Sequence, residues 1–259
     1  MISSEKYSNL DSSAEVTVNK IYSDNIFITQ YKNGYRFNAD SMILSWFISK
    51  FSNKKTYRKG LEIGSGSGVI PIVMNDRGFN NIDIDCVEIQ ETLFKLLTHN
   101  IKANNSLNLN PVNQDIKEFA KRCDRKYDFI FTNPPYFSTG RGVLNPCAEK
   151  AVAKHEVEGN LKTFLKLSYN ILTSKGEFFF VYPVSRIQEA LHYAENARFH
   201  LKKILFFKEY EKTPVTLFAA KMIKSDKRGN SVADIITMRN EDNSYTELGR
   251  EILFKEFKE

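Results

Sequence analysis

The chain has 259 residues, 42% of them apolar and 26% charged, and carries 37 Lys+Arg against 31 Asp+Glu, so it is long enough for one sizeable core and only mildly basic. No apolar run approaches the length that crosses a bilayer, and no basic segment followed by an apolar stretch opens the sequence. Cys86, Cys123 and Cys147 are odd in number, far apart and without a His at ligand spacing, which argues against a disulfide framework and a zinc site. The expectation is a cytoplasmic, metal-free protein with one main domain, acting as a monomer.

In chain order, the first twenty residues are polar and rich in Ser, Glu and Asn, and are expected to be frayed. Ile26-Phe27-Ile28-Thr29 reads as a short strand, and Asn38-Ala39-Asp40 as the cap of a helix reaching about Phe47. From Gly60 strands and helices alternate. Leu61-Glu62-Ile63 leads through a Gly-rich turn to a helix ending near Met74; a strand from Ile82 to Ile89 precedes a helix from Gln90 to about Ala103. A short strand near Pro111-Val112-Asn113 and another from Tyr127 to Phe131 follow, then a long loop from Asn133 to about Gly159. Leu161, Phe164, Leu165 and Leu172 fall at helical spacing with Ser168 on the same face, and Gly176 marks a turn. Phe178 to Tyr182 is a buried-strand candidate, Ser185 to Ala197 a helix, and Leu201 to Phe207 and Val215 to Ala220 are strands. Such alternation implies a largely parallel α/β sheet with both faces covered, whose ligands bind beyond the strand carboxyl ends.

Two motifs fall at such ends. Glu62-Ile63-Gly64-Ser65-Gly66-Ser67-Gly68 joins a strand to a helix, and its alternating glycines permit a sharp turn and close approach of a ligand. Val69 stands where the dinucleotide fingerprint needs glycine, so the triplet suits an adenosine with an amino-acid tail better than a pyrophosphate. Glu88, twenty residues beyond Gly68, can accept both hydroxyls of a ribose, and Asp115 can accept an adenine amine or simply cap the helix that starts at Ile116. The second motif is Asn133-Pro134-Pro135-Tyr136. The Asn133 side-chain oxygen and the Pro134 carbonyl can accept both hydrogens of an exocyclic amine, while Tyr136 stacks on the ring that bears it. An aromatic amine is a poor nucleophile until its lone pair is turned out of the ring, so the tetrapeptide reads as a device for methylating one by positioning. From Lys202 to Arg228 there are eight basic residues against three acidic ones, a bias that suits a polyanion or a solvated face.

With these residues in place the chain resembles the class I S-adenosylmethionine-dependent amino-methyltransferases that carry an Asn-Pro-Pro-Tyr signature, and among them the bacterial tRNA (adenine-N6) methyltransferases acting on position 37 of a valine tRNA. More particular marks are Gly34-Tyr35-Arg36-Phe37-Asn38-Ala39-Asp40-Ser41, Ala153-Lys154-His155-Glu156 and Asn240-Glu241-Asp242-Asn243-Ser244-Tyr245-Thr246-Glu247. The resemblance implies a Rossmann-like, mostly parallel seven-stranded twisted sheet with an antiparallel strand near the C-terminus and helices on both faces. It further implies a flexible segment 1–23, a single methyltransferase domain 24–259, and an extension 24–58 closing the cofactor site. On the same basis Glu62, Gly64, Gly66 and Gly68 would line the methionine part of S-adenosylmethionine, Glu88 would hold its ribose and Asp115 its adenine. Tyr35, Arg36 and Phe37 would close that pocket, and Asn133, Pro134, Pro135 and Tyr136 would hold the target base. Phe37 could equally be a core residue. RNA would meet Phe137, Arg141, Lys154 and His155 of the long loop, and Lys202, Lys203, Lys224, Lys227 and Arg228 of the basic stretch. Relatives often have Asp where Glu62 stands and Arg where Lys154 stands, and a lysine presents a point charge instead of a planar fork. A His155-Glu156 pair ordering the loop is preferred to an acid/base pair, because amine methylation needs no such base.

Three rivals remain. A glutamine N5-methyltransferase acting on release factors uses the same tetrapeptide, but a long helical N-terminal domain is not evident here; a DNA adenine-N6 methyltransferase would need room for a target-recognition domain. A non-catalytic RNA-binding protein would have little use for a full set of active-site residue types.

Overall fold

Runs rich in Phe, Ile and Val that are apolar on both sides form the inner strands of one sheet, and amphipathic segments cover it. The computed structural model describes residues 10, 15–33, 36–135, 161–225 and 231–255. A hairpin of β1 (Val16–Lys20) and β2 (Phe27–Tyr31) comes first. Helix α1 (Ala39–Phe51) follows, capped by the Asn38 side chain, which accepts from the Asp40 amide. The alternating part contains β3 (Lys59–Ile63), α2 (Val69–Met74), β4 (Asp83–Glu88), α3 (Glu91–Ala103), β5 (Leu109–Asn113), α4 (Ile116–Arg122) and β6 (Tyr127–Thr132). Then come α5 (Leu161–Ile171), β7 (Leu172–Pro183), α6 (Ile187–Asn196), β8 (Phe199–Lys208), β9 (Leu217–Lys224), β10 (Val232–Thr237) and α7 (Glu247–Leu253).

The sheet has eight strands in the order β10-β8-β9-β7-β6-β3-β4-β5. All pairings are parallel except those of β9, which runs against both β7 and β8. One face buries α1, α2, α3 and Ile252 of α7; the other buries Ile116 of α4 with α5 and α6. The Rossmann-like expectation therefore holds, with β10 as an eighth strand beyond the seven expected. Four of its six residues are exposed, so it lacks the apolar pattern that marks an inner strand.

Other differences are local. Val16–Lys20 lies in the stretch expected to be frayed, yet it pairs with β2 from Val16 opposite Tyr31 to Lys20 opposite Phe27. Backbone pairing stabilises a polar strand whose composition alone looks disordered. Leu172 opens β7 instead of closing α5, and Gly176 sits inside β7, where the register against β6 shifts between Tyr127 and Phe129. Between these registers β7 advances five residues and β6 two, and a Cβ on Gly176 would stand 2.7 Å from Leu172, so the chain doubles back at the glycine as expected while strand pairing continues on either side.

At the amino edge of the sheet buried polar groups close on one another. The Tyr57 hydroxyl donates to Glu177, whose other oxygen meets the Lys221 ammonium at 2.6 Å, and Lys221 also donates to the Phe51 carbonyl at 2.8 Å. The Asp128 carboxylate accepts from the Arg58 and Lys59 amides at 2.7 and 3.0 Å, fixing where β3 begins.

Candidate functional site

The opposite edge is built differently. Gly64, Gly66 and Gly68 have φ of 73°, 55° and 83°, in the left-handed region that favours glycine, so the turn after β3 depends on all three. Its start is pinned to the neighbouring strands. The Gly64 and Ser65 amides donate to Val87 O at 2.9 and 3.1 Å, and the Thr132 hydroxyl donates to Ile63 O at 2.8 Å. These bonds tie the ends of β3, β4 and β6 into one rim.

Glu88 ends β4, buried at 3% exposure. Its two oxygens accept from the Gly66 amide at 2.8 Å and the Gln90 amide at 2.9 Å, which fixes the carboxylate against the glycine turn. A carboxylate oxygen can accept a second hydrogen bond, the capacity a ribose diol uses. Asn113 and the Gln114 amide both donate to Glu88 O, so the end of β5 joins the same rim. Asp115 does cap α4, accepting from the Lys117 amide at 2.7 Å through one oxygen.

Three buried polar atoms on this rim make no well-formed hydrogen bond, Glu62 Oε2, Ser65 Oγ and Asn133 Oδ1, although the Ser65 hydroxyl stands close enough to Glu62 to act on its carboxyl. Burial holds the Glu62 carboxyl well above its ordinary range; the Ser65 hydroxyl draws it down and the Glu88 carboxylate adds to the rise. Buried polar groups are normally satisfied, so a cluster of orphans at the strand ends of an α/β sheet is the mark of a ligand site. Pro134 is buried behind Asn133 and Pro135 is exposed. Arg36 is exposed, and Phe37 packs against the core cluster that contains α1. Tyr35, Tyr136, Phe137, Arg141, Lys154, His155, Glu156, Lys227 and Arg228 lie outside the described residues.

The structure does not bring the remaining basic candidates to this rim. Because β8 runs parallel to β7 and β9 against it, Lys202, Lys203 and Lys224 all fall at the amino edge. Lys203 lies over the Phe51 ring, 4.9 Å from its centroid, and Lys224 donates to Tyr169 O and Leu172 O at 2.6 and 3.2 Å. Two of these three cations thus hold the fold together. Sequence reasoning missed Asn100, fully buried on α3. Its oxygen accepts from the Thr29 amide at 2.9 Å, and its nitrogen donates to Thr29 O at 3.0 Å and Ser67 O at 2.9 Å, joining β2 to the glycine turn. Asn104, one turn on, bonds both backbone groups of Phe27. Two asparagines four apart, the first between apolar Leu97 and Ile101, were the available signal.

A family model described as "Methyltransferase small domain" matches residues 44–195. A protein of Erwinia tasmaniensis named tRNA1(Val) (adenine(37)-N6)-methyltransferase is 26% identical over 221 residues, 85% of this chain and 87% of the relative. A Pedobacter heparinus protein of the same name is 30% identical over 161 residues, 62% of this chain and 65% of the relative. In fold, a predicted O-methyltransferase from Agrobacterium tumefaciens superposes with a TM-score of 0.64 at 13% identity, covering 82% of this chain and 94% of its own. The M. jannaschii TYW2 protein in complex with AdoMet does so at 0.52 and 16%, covering 83% and 89%. Fold and rim together define a class I, S-adenosylmethionine-dependent methyltransferase. The chain belongs to the methyltransferase small domain family.

Proposed function

We propose that this methyltransferase modifies the N6 amine of an adenine in tRNA, at position 37 of a valine tRNA, in the cytoplasm. The observation that carries the reading is Asn133 Oδ1, a buried acceptor without a partner at the end of β6, followed by two prolines that stiffen its backbone. The names of the Erwinia and Pedobacter relatives support adenine 37 of the tRNA as the acceptor.

The rim fits S-adenosylmethionine on its own features. Glu62 offers a buried orphan carboxylate that an ammonium would satisfy and draw back toward ionisation. Glu88 would hold the ribose diol, and Asp115, which spends one oxygen on the Lys117 amide, would offer the other to the adenine amine. When bound, S-adenosylmethionine supplies an electrophilic methyl on a sulfonium. Asn133 and the Pro134 carbonyl accept the two N6 hydrogens, which turns the nitrogen lone pair out of the ring and aims it. No strong base is needed before attack, since the amine becomes acidic only as it gains positive charge. A target in a tRNA loop is easier to splay into such a site than one in a duplex.

The test offers labelled S-adenosylmethionine with unmodified tRNA, release factor or duplex DNA, followed by nucleoside mass spectrometry. Label in tRNA as N6-methyladenosine is expected. Label in glutamine of the release factor or in DNA would reject the assignment.

A further inference from the structure

A cleft of about 500 Å³ opens at the carboxyl ends of β7, β8 and β10, against the start of α1. Its wall includes Asn38 and Asp40 at the start of α1, Pro183 at the end of β7, Glu209 after β8, and Arg239 with Tyr245 after β10. Thr132, the last residue of β6, pairs with Phe180 of β7, so the strand that ends at Pro183 is the one beside the strand end that carries Asn133. Adjacent strands are about 5 Å apart, so the Pro183 wall of the cleft is one strand away from the end of β6 that leads to Asn133.

Nothing in the methyl-transfer reading uses it. Its volume falls in the range of about 300–1,000 Å³ typical of small-molecule sites. Two stretches almost two hundred residues apart meet in it, Asn38 to Asp40 and Arg239 with Tyr245, and both are tied by hydrogen bonds. The Asn38 side chain bridges to Asp40 at 2.9 Å, the Arg239 amide donates to Glu209 O at 2.8 Å, and the Tyr210 hydroxyl donates to Asn243 at 2.6 Å.

The charges select the class of ligand. Lys208 and Arg239, the cations of the wall, are already engaged, with Glu211 at 2.9 Å and Glu209 at 2.7 Å. A phosphate would meet the Asp40 and Glu209 carboxylates with its own countercharges spent. A neutral planar base is a better guest. Arg239 uses its edge donors on Glu209, Asn243 O and the Tyr245 hydroxyl, and its guanidinium lies 3.8 Å from the Tyr245 ring centroid. Arg239 and Tyr245 thus hold each other in place on the wall, a guanidinium and a ring of the kinds on which splayed RNA bases stack, with Asp40 as acceptor for a base amine.

We propose that this cleft is a second base subsite that takes a nucleobase next to the target adenine in the RNA strand. It rests on the tRNA reading above and adds the element that selects sequence context. The test uses full-length tRNA in which the nucleotide on either side of the target is made abasic, with wild type and Asp40→Asn. One abasic position is expected to raise KM for tRNA about tenfold, the typical worth of one stacked base. Asp40→Asn should raise KM on intact tRNA, add nothing further on that abasic tRNA, and leave cofactor affinity and melting temperature unchanged. Tyr245→Leu should likewise raise KM on intact tRNA and add nothing on that abasic tRNA, compared per folded molecule because Tyr245 also anchors Arg239 and its loss lowers the melting temperature. Methylation of tRNA that is indifferent to both abasic changes, or effects that multiply, would overturn the subsite alone. Absence of methyl transfer to any RNA would sink both proposals.

Discussion

At the amino edge of the sheet, Glu177, Lys221, Tyr57 and the Phe51 carbonyl close a network within the protein, and Asp128 takes two backbone amides. At the carboxyl edge, one strand length away, Glu62, Ser65 and Asn133 keep buried atoms without well-formed hydrogen bonds, and three successive glycines hold left-handed conformations. The same strands serve both edges. The Glu177–Lys221–Tyr57 network closes its polar groups on one another and so supports stability; the carboxyl rim leaves three such groups together at the strand ends, where a ligand can take them up.

Asn133→Ala tests the difference most strongly. Turnover should fall about a thousandfold, the scale of losing one preorganised polar group in an active site, while equilibrium dialysis shows cofactor affinity preserved. A large loss of cofactor binding would remove Asn133 from the role of amine acceptor. At the other edge Glu177→Ala strands Lys221 and Tyr57; denaturant unfolding should show a loss of about 3 kcal/mol, with kcat/KM per folded molecule unchanged. If activity fell with it, the two edges would not be separable.

Asn100→Asp spans the divide. It keeps the acceptor for the Thr29 amide but removes the donor to Thr29 O and Ser67 O, so stability should drop by about 2 kcal/mol and calorimetry should show weaker cofactor binding. Two glycines sharpen the comparison further. A Cβ on Gly60 would come within 2.5 Å of the Phe129 ring, whereas one on Gly66 would meet nothing within 4 Å but would stand in a left-handed residue on the turn. Gly60→Ala should cost about 1–3 kcal/mol of stability alone; Gly66→Ala should cost about 1–2 kcal/mol of strain and weaken cofactor binding as well.

The smallest effect concerns pH. The ordinary value for the Glu62 carboxyl is 4.5 and burial raises it in the folded chain. A raised carboxyl favours folding while protonated, so its contribution is present below the ordinary value and is lost as pH rises through the folded one. Cofactor-free Glu62→Gln should therefore gain stability relative to wild type as pH rises from about 5 to about 8, read from melting curves. An equal difference at both pH values would contradict a buried, titrating Glu62.

Much of the sheet was legible because its strands carry their own signal. Phe178 to Tyr182 is apolar at every position, and all five side chains are buried. The strand β10 gave no such signal because the sheet edge leaves four of its six residues exposed. Within the site, Asn133, Glu88 and the three glycines were readable because each lies within a few residues of a strand end. Asn100 was not, since its partners Thr29 and Ser67 are 71 and 33 residues away.

The sequence by itself determined the local chemistry: a left-handed glycine turn, an acidic strand end and an amide acceptor stiffened by prolines. Those properties depend on residue type and on neighbours a few positions away. Only the tertiary structure decided which groups share an edge. Strand direction sent Lys202, Lys203 and Lys224 to the far end of the sheet, and the packing of α1 against the strand ends brought Asn38 and Asp40 into one cleft with Arg239 and Tyr245. Direction and register are set by pairing between distant segments, and no local pattern encodes them.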